Sequence, residues 1–284
     1  MSTTVDLVAS YWTIAAGAQP HTEHEYSTAD FKDRVEAIAR AGFKGMGIWH
    51  ADLAHTMEKY SLAEMKKILD DNGIKHLELE FLTDWFLDGE RKARSDVTRK
   101  MLMRAAEVLR PRHIKVGDFF KEKCPMPKLV ESFAALCREA AEHGTRVIFE
   151  LMPFAMIHTL EGAIEMVAGA GAKNGGIILD TWHVVKLGIP YEQVSRIPSQ
   201  FLLGVELNDG TTKTTGDLVD ETVNHRRLCG EGDFDVKGFI RAVRAAGYQG
   251  PYGIEVLNKE MRSWPLEKMV TQAFRTTAAQ FEGL

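Results

Sequence analysis

Short apolar runs recur along the chain, most of them closing on a polar or acidic residue and followed by an amphipathic stretch. They cover residues 5–13, 45–50, 76–83, 113–118, 146–153, 175–183, 201–209 and 252–258. The sixth is the most informative. Gly175-Gly176-Ile177-Ile178-Leu179-Asp180-Thr181-Trp182-His183 carries no charge from Gly176 to Leu179, then presents Asp180 and His183 together at its C-terminal end. An apolar run of that length suits a parallel strand covered on both faces.

The intervening stretches read as helices. Phe31, Val35, Ile38 and Ala39 form one apolar stripe, with Lys32, Asp33, Arg34 and Glu36 expected on the solvent side. Ser61 and Glu64 stand at capping-box spacing. Gly42, Gly73, Gly144 and Gly247 each follow a helical run and precede a strand, where a left-handed C′ residue belongs. Strand–helix alternation implies parallel pairing through right-handed crossovers. Eight such units predict a closed (β/α)₈ TIM barrel, an α/β fold in which residues 1–284 form a single domain. No GxGxxG or GxxxxGK[ST] follows any strand, which removes the main signals of a nucleotide-binding sheet. The longest stretch predicted to be non-helical, residues 210–232, lies between the seventh and eighth strands, and its length points to a lid or binding loop.

Composition narrows the partners. The net charge is -5, with no Lys/Arg block, which argues against nucleic acid. No apolar run approaches a membrane span. Cys124, Cys137 and Cys229 are scattered and expected to be free thiols in a reducing compartment. Residues 1–4 lack a basic segment leading into an apolar one, so no signal peptide is expected and a cytoplasmic location is.

The candidate chemistry lies at the strand ends. Strand five closes on Glu150, strand six on Asp180, strand seven contains Glu206 and strand eight Glu255. Any one of these alone reads equally well as a salt-bridge partner, but four on consecutive strands form a pattern. Carboxylates converging among Ile, Val, Leu and Phe would repel and be costly to bury, so a cation must sit between them. Few basic residues lie on these strands, and a divalent metal is the simplest answer. Oxygen ligation by Glu150, Asp180, Glu206 and Glu255 favours Mn²⁺ or Mg²⁺. Glu80 on strand three and Lys115 on strand four reach the same mouth only if their register is right.

The ordered motifs FELMP, LDTWH, VELND, GEGDFD and GIEV resemble the xylose isomerase-like superfamily of sugar phosphate isomerases and epimerases, also called endonuclease IV-like barrels. The resemblance covers essentially the whole chain. It implies one divalent metal, with Glu150, Asp180 and Glu255 on ligand positions and His183 on the second position of a D-x-x-H pair that contacts substrate or tunes the metal. Glu206 departs from the pattern by standing where the family usually has His. The endonuclease branch is disfavoured, because Asn224 and Arg226 stand where its D-x-H element would fall.

The resemblance further implies that Glu150 and Glu255 act as an acid/base pair, removing and returning a proton through an enediolate. Arg226 or Arg227, before Gly230-Glu231-Gly232, would anchor substrate oxygens, and Asn208 is a further binding candidate. His50, beside Trp49, would face the same mouth, and Trp12 and Trp182 could wall it. Residues 81–86 form an aromatic segment whose default is burial against the next helix, with a pocket wall or subunit contact as alternatives. His21 and His24 read as solvated. The expected activity is isomerisation or epimerisation of a sugar or keto-sugar. The alternative is a lyase of the same superfamily, either a keto-sugar dehydratase or the barrel subunit of a C-glycoside deglycosidase cleaving a 3-oxo-C-glycoside. A non-catalytic barrel is a third reading, disfavoured by the four acids. The substrate would be a small carbohydrate or glycoside, and a homo-oligomer or a hetero-oligomer with a small β-type subunit both stay open.

Overall fold

The computed structural model describes residues 5–284; residues 1–4, on which the signal-peptide expectation rested, lie outside them. Eight parallel strands close in sequence order into one barrel: β1 Leu7–Ala9, β2 Gly45–Trp49, β3 His76–Leu82, β4 His113–Val116, β5 Val147–Glu150, β6 Gly175–Asp180, β7 Leu202–Leu207 and β8 Tyr252–Ile254. Closure occurs at β1, where Val8 is in register with Gly45 on one side and Gly253 on the other. The strands are short and buried on both faces, as their apolar sequences require.

Helix boundaries follow the punctuation. The helix Phe31–Ala41 starts at Asp30, whose side chain accepts from Lys32 N, and stops at Gly42 with φ 109°. Ser61 and Glu64 close a reciprocal capping box on Leu62–Asp71. Gly73, Gly144 and Gly247 all have positive φ, the conformation their C′ position demands.

Three expectations change. The apolar run over residues 5–13 supplies only the short β1, followed by the helical turn Tyr11–Ile14. The stretch 210–232 holds its own helix, Leu218–Asn224. Arg34, expected on the solvent side, is 1% exposed, because its guanidinium donates to Asp52 Oδ2 at 2.7 Å behind the stripe. Asp52 also accepts from Ser27 N, so this buried pair ties the segment after β1 to the helix His50–Met57.

The strand register is interrupted in two places. Between β3 and β4 it slips between Leu79 and Leu82, the span that holds Glu80 and Phe81. Such irregularities re-aim side chains. A second slip lies between Ile177 and Ile178, where β6 meets β7.

Candidate active site

Asp180 shows how the local fold builds the site. It is the last residue of β6 and also the N-cap of Thr181–Lys186, where Oδ1 accepts from Trp182 N at 2.7 Å and His183 N at 3.3 Å. That leaves Oδ2 pointing to Asn208 Nδ2 at 2.8 Å and Arg226 Nη1 at 2.9 Å. Around it gather Glu80 from β3, Glu150 from β5, Glu206 from β7 and Glu255, one residue past β8; all five acids are buried. Glycines clear the space. A Cβ on Gly47 would lie 2.7 Å from Glu80 Oε1, and one on Gly253 would lie 2.7 Å from Glu206 Cγ.

Ionised carboxylates this deep each carry a desolvation penalty of several kcal/mol, roughly, unless cations meet them. The chain supplies two cations. Lys115 Nζ, on β4, lies 2.8 Å from Glu80 Oε2, 2.8 Å from Glu206 Oε2, 3.2 Å from Glu255 Oε1 and 3.8 Å from Glu150 Oε2. Arg226 Nη1 lies 2.9 Å from both Asp180 Oδ2 and Glu255 Oε2, while Nη2 donates to Thr222 Oγ1. The scarcity of basic residues on the acid-bearing strands is therefore only local. Closure of the barrel brings Lys115 in from the far wall.

This wiring drives the acids apart in strength. Burial pushes Glu80 up, only partly offset by Lys115, to a pKa of about 7. Burial and the neighbouring Glu255 push Glu206 well above the usual carboxylate range. Glu150 goes the other way: burial raises it, but Lys115 and then His183 and Arg226 outweigh that and bring it to about 2. Burial lowers Lys115, yet the four glutamates around it hold its ammonium protonated. Carboxyl groups separated in this way are the raw material of acid/base chemistry.

The donor set also suits a divalent ion. Glu150, Asp180, Glu206 and Glu255 each offer an oxygen, all within 4.8 Å of one another, and Glu150 Oε1 is buried without a hydrogen-bond partner. An ion there would share Glu206 and Glu255 with Lys115.

Above this floor opens a cavity of about 580 Å³. Of the residues expected at the mouth, Trp12, His50, Glu150, His183, Arg226 and Glu255 line it. Asp180, Glu206 and Asn208 lie buried among the same groups without lining it; Asn208 holds Asp180 and donates to Glu255 O. Two candidates are corrected. Trp182 is fully buried outside the cavity, with the Arg226 guanidinium carbon 5.4 Å from its ring centre, so it supports Arg226 from behind. Arg227 is exposed; its backbone bridges Asp209 and its side chain donates to Glu231 O, because the loop turns it outward.

The cavity also contains groups that the motifs did not single out. Lys115 and Glu80 reach it, as do Trp49, Phe81, Phe119 and Phe154. Within the segment 81–86, Phe81 faces the cavity while Trp85 and Phe86 join the main core, Trp85 packing on Phe133. His21 lies at the cavity lip and is exposed, as is His24. The alternation Glu78-Leu79-Glu80 and His113-Ile114-Lys115 was the available signal, since period-two residues share a strand face.

The segment between β7 and β8 walls one side of the site, with Val219, Thr222, Val223 and Arg226 lining the cavity. Asp209 is fully buried and accepts from Gly210 N, Gly230 N and Phe234 N at 2.8–3.0 Å, folding the Gly230-Glu231-Gly232 turn back on β7. Glu221 on Leu218–Asn224 forms a buried ion pair with Lys186. Arg226 reaches the floor from this wall.

Residues 35–279 match the family model described as xylose isomerase-like TIM barrel. Among curated relatives, a 3-dehydroshikimate dehydratase of Pseudomonas aeruginosa (strain PAO1) is 26% identical over 250 residues, covering 86% of this chain but 39% of the relative. The chain thus spans about two fifths of that protein's length. An inosose isomerase of Bacillus velezensis is 21% identical, with 88% of this chain and 92% of the relative aligned. The solved structure of the IOLI protein with a binding zinc atom superposes with a TM-score of 0.84 at 19% identity, covering 97% of this chain and 98% of that one.

Proposed function

The chain belongs to the xylose isomerase-like TIM-barrel family, and on that footing we propose that it is an enzyme that moves a proton on the carbon beside a carbonyl of a sugar or keto-sugar. Isomerisation or epimerisation is the outcome put forward. The observation that carries it is the floor itself: Glu150 and Glu255 both line the cavity, and the Lys115 ammonium lies between 3 and 4 Å from each.

In this reading Glu150 is the base, ionised, with Oε1 facing the His183 imidazole at 3.4 Å. Glu255 is its acid/base counterpart. Negative charge building on the substrate oxygens as the proton leaves is met by Arg226 and Lys115, cations held by carboxylates at the cavity floor. Glu80, brought to about 7, exchanges protons near neutral pH. His183 Nε2 stands 3.4 Å from both Glu150 Oε1 and Arg226 Nη2, where its tautomer decides whether it donates to the carboxylate or accepts from the guanidinium. Glu150, Asp180, Glu206 and Glu255 would hold a divalent ion, with Mn²⁺ or Mg²⁺ suited to an all-carboxylate set. Such an ion supplies Lewis-acid polarisation of the carbonyl. A cytoplasmic location belongs to the same proposal, resting on three unpaired cysteines suited to a reducing compartment.

The dehydratase reading is kept because relatives of that name align with 86% of this chain. It shares the first step and differs in what leaves. Incubating the protein in D₂O with a panel of inososes and ketoses separates the two by NMR. Deuterium at the carbon beside the carbonyl, without loss of water, is expected; release of water and a new unsaturated product would replace this outcome with elimination. Glu150→Gln is expected to lower exchange at least a hundredfold. Absence of exchange and elimination with every substrate would overturn the proposal.

A further inference from the structure

The cavity is lined by one acid that the proton-transfer reading does not use. Glu25 lies on the segment between β1 and the helix Phe31–Ala41, and it is half-buried. Its backbone is pinned by the buried Tyr11 hydroxyl, which donates to Glu25 O at 2.9 Å. Its carboxylate is held too, Oε1 accepting from His21 N at 2.7 Å and Oε2 from Trp49 Nε1 at 3.0 Å. Both donors are neutral N–H groups. A carboxylate has about four lone-pair sites, so each oxygen keeps capacity for another donor.

A positive charge is what this end of the cavity lacks. Among the described residues lining it, Lys115 and Arg226 are the only lysine and arginine, and both are committed to the acids of the floor. The His21 ring lies edge-on to Phe119 at 6.0 Å, and it is the backbone of His21 that meets Glu25. Trp12 and Trp49 also line the cavity, with ring centres 5.1 Å apart and planes tilted by 58°. Indole faces attract a cation. A hydroxyl would satisfy a Glu25 oxygen but leave its charge unmet, and a phosphate would meet a like charge. A protonated amine brings three donors and the missing charge together. We propose that this end of the cavity is a cation subsite, where a protonated amine of the substrate seats on Glu25 beside Trp12 and Trp49 while its oxygenated skeleton reaches the floor. The skeleton's placement rests on the proton-transfer reading above; the cation subsite rests on Glu25 and its surroundings alone.

The Trp49 indole N–H, bonded to Glu25, is a reporter within the site, and it is one of only five indoles in the chain. Methylammonium chloride, titrated into the whole protein against sodium chloride at equal ionic strength, is expected to shift its NMR resonance saturably. Glu25→Gln is expected to abolish that shift. Aminoethyl β-D-glucopyranoside should bind about fivefold or more tightly than its neutral isostere hydroxyethyl β-D-glucopyranoside, read calorimetrically. Glu25→Gln should bring the ratio of the two affinities to within about twofold, with Glu25→Ala as a second variant should the first not fold. Absence of a saturable methylammonium shift overturns the proposal. So do equal affinities for the two glucosides, no binding of either, or a preference that survives a folded variant. Glu150→Gln keeps the two readings apart, since it is expected to lose proton exchange yet retain the methylammonium response.

Discussion

His50 and Lys115 meet burial in opposite ways. Burial lowers the His50 imidazole to a pKa of about 4, so it lines the cavity as a neutral group across the physiological range. The unfolded chain takes up a proton near pH 6.5 that the folded protein refuses. His50 therefore contributes stability fully present above about pH 6.5 and lost as pH falls toward 4, up to about 3 kcal/mol at 1.4 kcal/mol per unit. An NMR titration of the imidazole is expected to give a midpoint near 4, and His50→Gln should flatten the acid side of the stability profile; an ordinary midpoint would refute it. Lys115 keeps its charge because acids surround it. Lys115→Met should lower stability by about 3–5 kcal/mol by leaving those acids without their counter-ion. The same variant frees oxygens of Glu206 and Glu255, so Mn²⁺ titrated into metal-stripped protein is expected to bind at least tenfold more tightly than to wild type. Unchanged affinity would mean that Lys115 and an ion do not compete.

At the scale of the element, the Gly230-Glu231-Gly232 turn between β7 and β8 is held by one carboxylate. Asp209 satisfies three backbone N–H groups at 0% exposure, so Asp209→Ala orphans all three. About 3 kcal/mol or more of stability should go, read from urea unfolding, and Arg226 should lose its anchorage, raising KM more than it lowers kcat. A loss below 1 kcal/mol would show the turn to be held elsewhere. These elements also show what was legible in the sequence. Acidic residues closing apolar runs gave Glu150, Asp180, Glu206 and Glu255, and the helix punctuation at Ser61, Gly42 and Gly247 marked real boundaries, because both signals are local. Arg34 departs from its helical periodicity because its partner Asp52 lies on a different helix. Trp182 and Arg227 adjoin His183 and Arg226, which line the cavity, but a helix turn and a loop turn carry them away from it.

Closure of the barrel decides what no local pattern does. Glu80 and Lys115 alternate with apolar neighbours, but a one-residue slip would reverse every side chain, so the sequence left them open. The barrel places Lys115, on β4, against Glu206, on β7, across 91 residues of chain, with Ser10 Oγ from beyond β1 donating to the same carboxylate at 2.7 Å. Glu206, where the resemblance expects histidine, thereby becomes the far end of a bond spanning the interior. Removing Lys115 alone leaves four buried acids crowded without the cation they share, whereas removing Glu206 as well takes one of those acids out of the crowd. In chelator-treated protein, Lys115→Met with Glu206→Gln is therefore expected to recover about 2 kcal/mol relative to the sum of the single losses, measured by urea unfolding. Gly253→Ala supplies the steric counterpart, since its new Cβ would press on Glu206 from β8 at 2.7 Å and weaken the same bond. Should the two charge substitutions add without coupling, the ion pair across the barrel would not be what holds its floor together, and Glu206 would be free for a metal.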